Sequence, residues 1–117
     1  MTTIRLSDLG IKEVKYCRSS FSQGLGFMFS RKNENRALVF ELKKEKKVPL
    51  HMFFVFYPID VLYLARDKNG DKRIIEIKEN FKPFTFYFPK KKAMYVAELP
   101  ANTVSEGKLK VNDTIML

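Results

Sequence analysis

The chain offers few groups that could do chemistry: one imidazole, His51, one thiol, Cys17, and thirteen carboxylates, no pair of them spaced as an acid and a base sharing one bond. It contains no glycine-rich phosphate loop and no nucleophile motif. A metal centre would have to gather carboxylates around a single imidazole, and no ligand spacing points to one. Neither a metal nor an organic cofactor is therefore expected. His51 opens an apolar run, where an imidazole is ordinarily half-buried and bonded to main chain. Cys17 has Lys15 and Arg18 beside it, which would favour the thiolate. Its plainer role is that of a small buried hydrophobe. Asp60 is the most informative carboxylate, because it lies between Ile59 and Val61, and a strand interior is costly for an unpaired charge. It must reach water, accept amide hydrogens in the bend at Pro58, or line a pocket. Asp113 reads as a turn residue.

A second constellation runs from Phe81 to Lys92 and interleaves aromatic rings with lysines, as binders of single-stranded nucleic acid do. If Phe84, Phe86 and Phe88 form the inward face of a strand, only Tyr87 is left outside as a stacking platform beside Lys90, Lys91 and Lys92. The net charge of +9 raises the expectation of an anionic partner. The lysines also fall at expected turns, where they would simply solvate the surface.

These groups must be held by a small frame. The chain of 117 residues is the length of one domain, and a chain of this size buries enough surface for a core without disulfide or metal staples. With one cysteine no intramolecular disulfide can form, and residues 1–10 have no apolar signal segment. The apolar run from Leu50 to Ala65 is too short for a bilayer and is broken by His51, Pro58 and Asp60. A cytoplasmic location without membrane association follows as the expectation.

Eleven Phe, five Tyr and no Trp favour pleated strands over helices. Short apolar runs separated by charge clusters predict seven or eight strands. Strands are expected from Lys12 to Cys17, after an extended piece near Ile4, and from Arg36 to Leu42, with Leu38, Phe40 and Leu42 on one face. The stretch from Arg18 to Phe29 reads as a helical turn and loop, and Lys43 to Lys47 as a solvated turn. Leu50–Tyr57 and Ile59–Arg66 are apolar on both faces and should be central. Asn69-Gly70 should turn Ile59–Arg66 back against Lys72–Glu79, with Ile75 and Ile77 inward and Lys72, Glu76 and Lys78 in water. Further strands are expected over Phe84 to Phe88 and Ala93 to Leu99, then a loop or helical turn to Gly107, and a closing segment with a turn at Asn112-Asp113. The expected architecture is mainly β, an antiparallel two-layer sandwich with one or two short helical turns.

In this layout the chain resembles the family catalogued as domain of unknown function 192, from about Lys15 to the C-terminus. Gly26-Phe27-Met28-Phe29 resembles its Gly-Leu-Met segment, and Leu38-Val39-Phe40 its Leu-Leu-Phe strand. His51 to Tyr63, centred on Pro58-Ile59-Asp60, resembles its Trp-Met and Pro-Leu-Asp block. Tyr95-Val96-Ala97-Glu98-Leu99-Pro100 with Asn112-Asp113 resembles its ending. The resemblance implies a jelly-roll-like β sandwich and no established activity. It departs at Phe53, Phe54 and Val55, where the family carries Lys-Asn-Thr, and at His51, where it carries Trp. Two family glycines are Asn102 and Asn112 here, and Asn is the best other tenant of left-handed backbone.

The resemblance groups Gly26, Met28, His51 and Asp60 as a ligand site, and the leading reading is a non-catalytic module that binds a small ligand or a protein. The runner-up is a nucleic-acid-binding protein working through Lys90, Lys91, Lys92 and Tyr87 together with Lys43 to Lys47. An enzyme of unknown class ranks third. A pocket at Asp60 would favour the first, one continuous positive face the second.

Overall fold

The computed structural model describes residues 3–17, 35–52 and 56–116. Its strands are β1 (Thr3–Arg5), β2 (Glu13–Cys17), β3 (Arg36–Lys46), β4 (Leu50–His51), β5 (Ile59–Arg66), β6 (Lys72–Phe81), β7 (Phe86–Tyr87), β8 (Ala93–Pro100) and β9 (Thr114–Met116). A 3-10 turn (Leu6–Leu9) follows β1, and one short helix, α1 (Thr103–Gly107), precedes β9. The mainly β expectation holds. Seven strands form one sheet in the order β1-β9-β6-β5-β8-β3-β2, and β4 and β7 form a separate two-stranded ribbon. The centre of the large sheet is antiparallel, whereas its outer pairs β1–β9 and β2–β3 are parallel.

Alternation along the strands builds a core on each face of this sheet. Leu38, Phe40 and Leu42 share one face with Val61, Tyr63 and Val96, as their spacing predicts, and Val48, Leu50 and Met52 cover them. Ala37, Val39, Leu62, Leu64 and Leu99 line the other face, under Leu6, Ile11, Val104 and Leu109. Strand β5 is buried from Ile59 to Leu64, which suits a strand apolar on both sides and flanked by β6 and β8.

Leu50–Tyr57 is not the second central strand. Among its described residues only Leu50 and His51 pair, and they do so in the ribbon. The Met52 amide donates to the Thr85 carbonyl and the Met52 carbonyl accepts from the Phe84 amide, so this main chain is spent on the ribbon and not on the large sheet. Phe53, Phe54 and Val55 lie outside the described residues, as does the stretch from Arg18 to Phe29. Lys43 to Lys46 continue β3 as exposed strand and make no turn. Among the described residues no helix is long and apolar enough to cross a membrane.

The β5–β6 hairpin forms in the expected register, Arg66 opposite Lys72, but its tip differs. Of the two turn residues only Gly70 has a positive φ, 84°, and the Gly70 amide donates to the Asp67 carbonyl. The Asp67 carboxylate accepts from the amides of Asn69 and Asp71 and so closes a longer turn. A Cβ on Gly70 would meet open space, so substitution costs only backbone strain. Gly70→Val is expected to lower stability by about 1–2 kcal/mol; an unchanged thermal midpoint would sink the assignment of this turn.

Further along the hairpin, Tyr63 faces Glu76 while Leu64 faces Ile74, which leaves Ile75 as the extra residue of a bulge. The expected alternation therefore breaks. Ile75 packs with the Tyr63 core and Ile77 with the opposite one. Glu76, expected in water, is half-buried beneath the ribbon. Lys78 is half-buried as well, its ammonium 5.5 Å from the centre of the Tyr87 ring. Lys72 lies likewise 5.1 Å from that of Tyr95. Asn102 and Asn112 both take left-handed backbone, with φ of 72° and 84°, as expected of residues standing where the related family has glycine.

Candidate functional site

Asp60 is 1 % exposed, and both of its oxygens are taken by main chain. Oδ1 accepts from the Asn80 amide and Oδ2 from the Val104 amide, each at 2.9 Å. The local sequence explains the first bond. Ile59 pairs with Phe81 and Val61 with Lys78, so β6 bulges opposite Asp60, and Asn80 at φ 48° turns its N–H out of the ladder. The second bond caps the first turn of α1, whose own N-terminal residue, Asn102, makes no side-chain cap. The donors thus come from a bulge and a helix, and not from the bend at Pro58. This carboxylate ties β5, β6 and α1 together.

His51 is exposed, not half-buried, and it belongs to the ribbon, whereas Asp60 belongs to the large sheet. Gly26 and Met28 lie outside the described residues, and so does the side chain of Cys17.

The ribbon assembles a different surface. Leu50 faces Tyr87 across its two strands, and His51 faces Phe86. The first pair points inward: Leu50 is buried, and the Tyr87 ring packs 6.0 Å from Tyr63 and 6.2 Å from Phe81. Tyr87 is thus half-buried and is not the exposed platform. Its hydroxyl donates to the Glu76 carboxylate, and burial followed by that bond pushes its pKa up to about 12. The alternate residues consequently face outward. Phe84, Phe86 and Phe88 are 50 %, 56 % and 70 % exposed, the reverse of the expected phase. Phe86 and Phe88 stack nearly parallel, 14° apart with centroids at 6.2 Å, and Phe84 meets the exposed Phe56 edge to face at 5.6 Å. His51 stands in this outer row beside Phe86.

Lysines border the row. The Glu76 carboxylate that holds Tyr87 also accepts from the amides of Lys90 and Lys91, at 2.9 and 3.0 Å, and so fixes the loop that carries Lys90, Lys91 and Lys92. From Asn80 to Ala97 the chain has Lys82, Lys90, Lys91 and Lys92 and no carboxylate. In the large sheet Lys46 pairs with Ala93, so the end of β3, with Lys43, Lys44 and Lys46, lies against the residue that follows Lys92. The two lysine groups singled out in the sequence are neighbours. Their proximity was invisible there because it depends on β3 and β8 being adjacent.

One further group was not singled out. Glu98, in β8 opposite Leu38 and Val61, is 8 % exposed, and burial pushes its pKa up to about 7. The signal for it was a carboxylate inside the otherwise apolar run Tyr95 to Leu99. Among the described residues no cluster of His, Cys, Asp and Glu could hold a metal ion.

Comparison with known proteins agrees with this frame. The UPF0127 protein of Thermococcus sibiricus is 32 % identical over 104 residues, which cover 87 % of this chain and 64 % of that protein. UPF0127 protein PH1112 of Pyrococcus horikoshii is 32 % identical over 105 residues, covering 88 % and 85 %. The chain thus spans less than two thirds of the first of these relatives. Among solved structures, one from Sinorhizobium meliloti 1021 described as a "putative transcription regulator" superposes with a TM-score of 0.74 at 23 % identity, over 86 % of this chain and 78 % of that one. A protein of unknown function from Novosphingobium aromaticivorans superposes equally well at 19 % identity, over 86 % and 71 %. At such identities the likeness is one of fold. The family described as Uncharacterized ACR, domain of unknown function 192, matches residues 3–117, and this chain belongs to it.

Proposed function

We propose that the protein is a binding module for an anionic partner, and that its working surface is the outer side of the β4–β7 ribbon with the lysines around it. The observation that supports this reading is the register of Lys46 against Ala93, which brings the end of β3, with Lys43, Lys44 and Lys46 and Glu45 among them, next to Lys90, Lys91 and Lys92. Charges brought close together add their potentials, whereas the same number scattered over a surface is screened within about 8–10 Å. The ribbon joins that region at both ends: Val48 and Pro49 separate Lys47 from β4, and Phe88 and Pro89 separate β7 from Lys90.

Retention on an immobilised polyanion tests this. The variant Lys90→Ser/Lys91→Ser/Lys92→Ser and a control, Lys12→Ser/Lys15→Ser/Lys68→Ser, each lose three exposed charges. The first is expected to elute from heparin at clearly lower salt than the control. Equal elution would mean that only net charge is read and would overturn the proposal.

A further inference from the structure

We infer that the anionic partner is single-stranded nucleic acid, its bases stacking on Phe84, Phe86 and Phe88 while its phosphates follow Lys82 and Lys90 to Lys92 toward the end of β3. The inference rests on the binding surface proposed above and names its occupant. Three observations carry it beyond charge.

The first is the kind of apolar surface exposed. Phe86 and Phe88 are more than half exposed and lie nearly parallel to one another, and Phe84 adds a third, half-exposed ring. A duplex hides its base faces in the stack, but a single strand presents them, and every base can use such a platform whatever its identity.

The second is that the inner side of the ribbon is filled without these rings. Tyr87, Leu50 and Met52 already fill the ribbon's inner side. Phe84 is even held at a cost, at φ 61°, in the third position of the turn Lys82-Pro83-Phe84-Thr85, where a bulky residue is disfavoured and glycine or asparagine is usual. Backbone strain of this kind concentrates where a side chain is needed for something other than stability.

The third is the absence of carboxylates from Asn80 to Ala97. Within it the rings of Phe84 to Phe88 are flanked by Lys82 and by Lys90 to Lys92, with no negative charge between them. Of the acids around it, Glu76 is turned to the inner side, on the Tyr87 hydroxyl and the Lys90 and Lys91 amides, while the exposed Glu79 precedes the stretch and Glu45 lies among the lysines of β3.

Anisotropy titrations with labelled twelve-nucleotide oligo(U) and oligo(dT), and with a duplex of equal length, test the inference at low and at physiological salt. The single strands are expected to bind at least about tenfold more tightly than the duplex. Phe86→Ser/Phe88→Ser should weaken single-strand binding by about tenfold or more and leave the salt dependence unchanged. Lys90→Ser/Lys91→Ser/Lys92→Ser should instead flatten the salt dependence by about two in log–log slope. Phe84→Gly separates the site from the fold: the strain is relieved, so the melting midpoint should hold or rise while affinity falls. Equal binding of duplex and single strand, or no loss in the phenylalanine variants at an unchanged melting midpoint, would overturn the inference and leave a surface that reads charge alone. If heparin retention also fails to distinguish the lysine clusters, the underlying reading falls with it. Loss of single-strand binding in the phenylalanine variants with retained heparin elution supports both.

Discussion

Asp60→Ala should lower stability by about 3 kcal/mol, on the order of 12 °C in the unfolding midpoint of a chain this long. The side chain is small and its loss of packing is minor. What the substitution leaves behind is costly: the buried amide of Val104 and the part-buried amide of Asn80 both lose their acceptor. Each orphaned donor costs about 1–3 kcal/mol. Asp60→Asn keeps one acceptor oxygen and should fall between the two proteins. Thermal unfolding of the three decides the matter. A midpoint for Asp60→Ala at or above that of the parent would show that the carboxylate does not hold β6 and α1 in place.

The second large effect is a pH dependence centred on Glu98. This carboxyl keeps its proton up to about pH 7 in the folded chain, because burial between β3 and β5 disfavours the charge, whereas in the unfolded chain it releases the proton near 4.5. Between those values the folded state binds a proton that the unfolded state does not, so unfolding releases it and rising pH favours unfolding. The stabilisation is complete below about pH 4.5 and is lost as the pH rises through about 7; the difference amounts to roughly 3 kcal/mol. Glu98→Gln removes the charge without changing the shape. Relative to the parent, the variant should be similar at pH 4 and more stable by up to about 3 kcal/mol at pH 8. Urea midpoints at pH 4, 6 and 8 measure the difference, and a difference that does not change with pH would sink the assignment.

Much of the frame could be read from residue patterns alone. Strand β5, the pairing of β5 with β6, and β8 follow from local rules, two-sided apolar runs and a turn at Gly70, while the left-handed Asn102 and Asn112 follow from the family glycines they replace. What escaped depends on partners far along the chain. The donors to Asp60 lie 20 and 44 residues away. The phase of the ribbon could not be settled by alternation, because Phe84, Phe86 and Phe88 are as apolar as the Tyr87 that displaced them; Glu76, offering an acceptor to the Tyr87 hydroxyl, decided it. Glu76 in turn points that way because of a bulge that exists only in the pairing of β5 with β6. The site inherited these hidden choices. His51 was grouped with Asp60, but the residue it pairs with is Phe86, in the ribbon.

The parallel pairing of β1 with β9 gives the molecule a mechanical character. Thr3, Ile4 and Arg5 lie beside Thr114, Ile115 and Met116 in the same direction. A tension entering ahead of Thr3 and leaving beyond Met116 therefore pulls the two strands lengthwise past each other. All the rungs of that short ladder bear the load together, whereas strands peeled from one end yield one rung at a time. The grip extends inward through β9 to β6, where Lys72 and Arg73 face Ile115 and Thr114. Stretched along that line, the large sheet is loaded in shear at its β1–β9 pair.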